Sequence, residues 1–215
     1  MEKDNKDNFF KKISKRYWNL VWKDESLIGW LVSIISIIIL IKFIIFPLLT
    51  LMTGTALPIA IVESCSMYHD KDILDFNDFE DWWTEHGENY ERFGINLSEF
   101  EDFKMKNGFN KGDILFITGT KSESIEMGDI IIFQGGTQHP IIHRVIKIKT
   151  QSNGEKVFTT MGDNVGRVQF FEEEIKEEQI VGKARARLVP YLGWVKLIFY
   201  EPFKDEGSKG LCTEK

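Results

Sequence analysis

Cysteine is scarce: Cys65 and Cys212 are the only two in 215 residues, too few for a disulfide framework or a structural zinc site. A surplus of positive charge is also missing. The chain has 27 Lys and Arg against 33 Asp and Glu, which excludes an all-over basic footprint, so no nucleic-acid partner is expected. No repeat of 20–50 residues and no low-complexity segment is present. Hydrophobic residues at 43%, charged residues at 28% and a mean hydropathy of -0.19 exclude wholesale disorder and a multi-span transporter. The length suits one modest domain with additions.

The apolar residues are unevenly spread. From Leu27 to Met52 the sequence carries a single charge, Lys42. At about 1.5 Å per residue this run covers a hydrocarbon core of roughly 30 Å. A buried core helix would show a polar face, and a cleaved signal peptide would have a run about half as long, so an uncleaved anchor is expected. Pro47 is expected to kink or end the helix near its far side. Lys11, Lys12, Lys15, Arg16 and Lys23 precede the span, and no Lys or Arg follows it between Thr53 and His69. The positive-inside rule therefore puts residues 1–26 in the cytoplasm and everything after the span outside. The expected location is a cell membrane, crossed once, or the endoplasmic-reticulum membrane in a eukaryote.

The outer portion divides by pattern. Residues 70–106 carry 12 acidic and 4 basic residues, together with an apolar series, Phe79, Trp82, Trp83, Tyr90 and Phe93, at helical spacing. An acidic amphipathic helical insertion is expected, opened by a capping box of Asn77 and Glu80 and followed by a short element near 97–103. Leu74 stands where a calcium loop needs an oxygen ligand, so a solvated acidic face is the better reading. Strands are expected at 113–118, 129–133, 141–149, 156–160 and 179–187, with Asn153-Gly154 as a type I′ turn. The fold class is mostly β: one transmembrane helix, then an antiparallel sheet or barrel-like domain over 53–203. Residues 188–203 are aromatic and apolar, and fit either a membrane-surface segment or core packing. Residues 204–215 form a polar tail.

Three residues stand out for chemistry. Ser66 lies in Glu63-Ser64-Cys65-Ser66-Met67, after the strand-like Ala60-Ile61-Val62. His143 interrupts an apolar strand, and Asp163 follows the hairpin. Taken singly they read as a polar turn, a structural histidine and a turn aspartate. Together they form an inventory of nucleophile, general base and orienting acid. A serine hydroxyl is inert near neutral pH unless a base takes its proton, and an imidazole titrates in the right range.

The order of boxes resembles the type I signal peptidases of the archaeal and endoplasmic-reticulum branch. The matching boxes are the anchor; Ser64-Cys65-Ser66-Met67; Gly112-Asp113-Ile114-Leu115 and Gly128-Asp129-Ile130-Ile131; His143-Arg144-Val145; and Gly162-Asp163-Asn164. The resemblance spans about 27–194 and points to the branch with a histidine base rather than a lysine. It implies Ser66 as nucleophile, His143 as base and Asp163 as the acid orienting it, with Ser64 and the Ser66 backbone N–H forming the oxyanion hole. On an extended chain Ser64 and Ser66 point the same way and Cys65 the opposite way, which disfavours Cys65 as a rival nucleophile. The sequence departs from the family by having Tyr68-His69 where a proline is usual, a longer acidic segment, and Gln169 near the place of a second aspartate. Asp163 is thus left as the sole acid of the set.

The implied reaction is removal of signal peptides from exported precursors through an acyl-enzyme, without metal or organic cofactor. The implied partners are signal-peptide-bearing precursors, the lipid bilayer and the protein-export machinery. Two alternatives stay open: a catalytically silent tethered β-domain binding partners through its acidic helix, and a related peptidase acting on other exported precursors.

Overall fold

The computed structural model describes residues 2–69, 79–136 and 139–212, and the chain forms two compact units, Met1–Met52 and Thr53–Lys215. In the first unit, helix α1 (Glu2–Trp22) leads to α2 (Leu27–Leu40), whose N-cap Ser26 accepts the Gly29 N–H at 3.1 Å. The helix runs on through a π-helical stretch, Ile41–Ile45, into α3 (Phe46–Thr53). The whole of Leu27–Thr53 is long and apolar enough to cross a membrane. Pro47 does not end it. The wider π turn just before the proline absorbs the missing N–H and the clash with the preceding carbonyl, so the helix continues to Thr53.

The second unit is built on a curled antiparallel sheet of six strands in the order β1-β2-β6-β3-β4-β5. These are β1 (Ile59–Ile61), β2 (Ile114–Thr118), β3 (Ile130–Phe133), β4 (Ile141–Thr150), β5 (Lys156–Met161) and β6 (Ile180–Val189). All five strands expected from the β-branched runs are present. "Mostly β" is too strong, because about 39% of the chain is helical and about 20% strand, the helices lying chiefly in the first unit and the insertion. The β4–β5 turn is longer than a two-residue type I′ turn. Gly154 N–H bonds Gln151 O at 2.9 Å, and Gly154 takes the left-handed conformation (φ 87°) that closes a five-residue loop.

The insertion follows its amphipathic pattern. Helices α4 (Phe79–His86), α5 (Glu88–Glu91) and α6 (Leu97–Glu101) bury Phe79, Trp82, Trp83, Tyr90 and Phe100 against Ile146 of β4 and Met161 of β5. Their acids, among them Glu80, Asp81, Glu85 and Glu101, stay in solvent. The expected capping residue Asn77 lies outside the described residues; a capping box does form at Asn96 and Glu99, where α6 begins. Residues 188–203 are partly packed and partly exposed. In α7 (Trp194–Leu197), Leu197 is buried and the Trp194 indole N–H bonds Lys111 O at 3.0 Å, while Val195, Ile198 and Phe199 face outward.

Phe100 sits at the centre of the aromatic cluster, fully buried, with its ring 4.7 Å from that of Tyr90. Phe100→Ala is expected to cost about 3–5 kcal/mol. Glu85→Ala on the solvent face should stay within about 0.5 kcal/mol. Denaturant titration of the detergent-solubilised protein, followed by tryptophan fluorescence, distinguishes the two.

Candidate active site

β1 is an edge strand, paired on one side only, with β2. Its ladder runs on through Val62, which exchanges bonds with Asp113 O (2.9 Å) and Gly112 N–H (2.8 Å), and the chain then turns at 64–68. Three contacts hold that turn: Asn164 N–H to Ser66 O at 2.9 Å, Asn164 Nδ2 to Cys65 O at 3.0 Å and Phe109 N–H to Met67 O at 2.9 Å. Ser64 Oγ and Ser66 Oγ lie 3.1 Å apart within this turn, brought together by the bend rather than by the extended chain the sequence suggests. Cys65 is bonded to Cys212 in a disulfide, so it has no thiolate to offer as a nucleophile.

His143 is buried in β4, paired with Ile131 of β3. Its Nδ1 is hydrogen-bonded to Glu172 Oε1, in the short 3₁₀ turn Phe170–Glu172. The carboxylate also accepts the Thr160 hydroxyl at 3.2 Å and the Gln169 N–H at 2.9 Å. A carboxylate on Nδ1 fixes the proton there and leaves Nε2 as the basic nitrogen. Nε2 is turned toward the serine loop. A Cβ added to Gly162 would lie 2.9 Å from it and 2.8 Å from Ser66 O, so only glycine lets the two chains approach this closely.

Asp163 is not on His143. Its carboxylate is fully buried and already engaged by Arg144 Nε (3.0 Å) and Nη2 (2.6 Å), the Tyr90 hydroxyl (2.6 Å) and His69 Nε2 (2.8 Å). Burial alone would raise its pKa, but the Arg144 guanidinium and the His69 bond hold it well below the ordinary carboxylate range. With a bidentate arginine one residue beyond His143, Asp163 is an anchor for the Gly162–Asn164 segment that touches both Ser66 and His143. The acid on the imidazole is Glu172. It lies three residues beyond Gln169, after two phenylalanines and before Ile175, a setting whose only signal is the apolar flank. Of Glu172, Glu173 and Glu174, only Glu172 is buried.

A groove of about 740 Å³ opens over these groups. Ser64, Ser66 and His143 line it along with β1, and Ile142 and Phe171 stand on the other side. Residues 204–212, set apart by sequence as a polar tail, are bound in place here, since Lys204 Nζ donates to Glu63 O at 2.9 Å. Among the described residues no cluster of His, Cys, Asp and Glu could hold a metal ion.

No protein-family model matches the chain. It is 37% identical over 108 residues to the signal peptidase complex catalytic subunit SEC11C of Homo sapiens, covering 46% of this chain and 56% of that protein. It is 35% identical over 95 residues to the putative catalytic subunit SEC11B of Homo sapiens (41% and 57%). With SEC11 of Eremothecium gossypii the figures are 31% over 106 residues (45% and 61%). The chain thus spans a little over half the length of the curated relatives it matches, and over that stretch it is their homologue.

Burial pushes His69 down to about 4, although the Asp163 carboxylate opposes this. At neutral pH its ring is uncharged, and the bond to Asp163 is a hydrogen bond donated by Nε2–H. An unfolded chain takes up this proton near pH 6.5, so the unfolded state binds more protons between about 6.5 and 4, and folding weakens as pH falls through that window. His69→Gln keeps a donor toward Asp163 without titrating. Its unfolding free energy from urea titration is expected to depend less on pH between 7 and 4 than the wild type's, by an amount on the order of 3 kcal/mol.

Proposed function

We propose that this chain is a membrane-anchored serine endopeptidase that removes signal peptides from exported precursors. The observation that carries the reading is the shared groove of Ser66, Ser64 and His143, with an acid behind the imidazole and its free nitrogen turned to the serine loop. The homology to signal peptidase catalytic subunits supports it.

Ser66 Oγ attacks the scissile carbonyl while His143 Nε2 takes its proton. Glu172 holds the imidazole in the required tautomer and balances the imidazolium that forms, the role sequence reading gave to Asp163. The Ser64 hydroxyl and the Ser66 N–H meet the developing oxyanion. His143 then protonates the leaving amine, and water activated by the same nitrogen hydrolyses the acyl-enzyme.

The substrate enters extended along the free edge of β1, adding a strand whose alternate side chains face the groove, where small Ala-like residues are accepted next to the cut. Residues 27–52 serve as the anchor, with 1–26 cytoplasmic and the peptidase domain outside. The lysine and arginine bias supports this orientation, as does a disulfide, which persists in oxidising compartments. Anchoring confines Ser66 to the layer in which precursor cleavage sites emerge, a gain in effective concentration rather than in contacts. Precursors, the bilayer and the export machinery are its partners.

The test is cleavage of a signal-peptide-bearing precursor by the full-length protein in detergent. Ser66→Ala and His143→Ala should each lower kcat by 1,000-fold or more, on the order seen when triad members are removed. Glu172→Gln, which keeps the shape but not the charge, should cost about 100- to 10,000-fold. Full cleavage by Ser66→Ala would remove the peptidase reading; full cleavage by Glu172→Gln would remove the orienting acid alone.

A further inference from the structure

The groove has a third wall that the reaction does not call for. Phe203, Lys204, Asp205 and Ser208 line it, all from the segment 201–212. This segment has little secondary structure beyond two short 3₁₀ turns, yet it is fastened at several points. Lys111, 1% exposed, points its Nζ at the Glu201 carboxylate (2.8 Å), Ser208 O (2.7 Å) and Gly210 O (3.0 Å). Lys204 is bonded to Glu63 O, and Cys212 is bonded to Cys65.

The fastenings go to residues 63, 65 and 111. The first two flank Ser64 in the segment between β1 and Ser66, and the third adjoins the Gly112 that extends the ladder of β1. The Cys65 backbone is already held without the disulfide, by Asn164 Nδ2 and by Tyr68 N–H at 3.2 Å. The cross-link is therefore redundant for the serine turn, and for the segment it adds a covalent tie to the Lys111 and Lys204 bonds. Phe203 is the apolar side chain this arrangement presents. It is 88% exposed although it lines the groove, so its ring has almost no cover from the protein. An uncovered aromatic ring at a peptide groove gains most when an apolar substrate side chain packs on it.

We infer that residues 201–212 form a substrate-selecting wall, with Phe203 as a specificity-determining residue that packs against an apolar side chain of the extended peptide. The Cys65–Cys212 bond joins the Lys111 and Lys204 contacts in keeping this wall beside the nucleophile. The inference rests on the peptidase reading and adds to it the source of side-chain preference.

The test is steady-state cleavage by the full-length protein of a peptide library varied one position at a time between Ala, Leu and Asp. Phe203→Ala is expected to raise KM about 5- to 10-fold for peptides with an apolar residue at one position, with kcat within about twofold, flattening the preference there. Phe203→Leu should restore most of it. Cys212→Ser, checked by thermal unfolding, should reproduce the loss of preference. An unchanged profile in Phe203→Ala overturns the proposal, and so does a fall in kcat at constant KM in Cys212→Ser, which would make the cross-link a support of the nucleophile. Ser66→Ala run in parallel separates the two readings: if it still cleaves, the peptidase assignment fails, whatever Phe203 does.

Discussion

The site depends on one buried carboxylate. Asp163 has no access to solvent, and an isolated charge there would be strongly unfavourable. It stays ionised because it receives two bonds from Arg144, one from Tyr90 and one from His69. The guanidinium in turn spends its remaining donors on Gly128 O, Lys104 O and Met105 O. Such a pair contributes modestly to net stability, but removing one partner strands the other and costs about 3–5 kcal/mol. Its value here is positional. One carboxylate joins β4, the inserted helices and the loop after Ser66, and so fixes Gly162 and Asn164 against the Ser64–Ser66 turn and the His143 ring.

The insertion gains a meaning from this. Its acids form a solvated outer face, while its inner face is a packed aromatic layer in which the Trp82 ring stacks between His69 (3.6 Å) and His86 (5.0 Å). Tyr90 reaches through that layer to Asp163. The segment that looks from its charge like a docking surface thus braces, on its inner face, the buried Asp163 and the two sheet strands β4 and β5. His69, which matches no family position, is held by Asp163 and Trp82 rather than by a substrate.

Much of the fold was legible in the sequence because period-two apolar runs flanked by turn residues leave strands few alternatives, as at 141–149 and 156–160. The serine pair stood out as a motif, though it is brought together by a turn and not by strand alternation, whereas His143 was legible as the polar interruption of such a run. Glu172 was not, because it is delivered by a 3₁₀ turn after an irregular stretch, where spacing carries no orientation. Asp163 misled because a Gly-Asp-Asn turn beside a histidine box has the right residues, and only the direction of Arg144 shows that the carboxylate is taken. Pro47 leaves its mark as a π-helical stretch rather than as a helix end, because a π turn can absorb what proline removes. The pairing of Cys65 with Cys212 depends on the path of a segment with almost no regular structure, beyond the reach of periodicity.

That cross-link joins positions 147 apart, and the separation has a temporal side. A ribosome adding about 5–20 residues per second releases Cys65 on the order of ten seconds before its mate. Throughout that interval the nascent polypeptide carries an unpaired sulfhydryl beside Ser66. The ring can therefore close only after everything encoded between the two cysteines has been made.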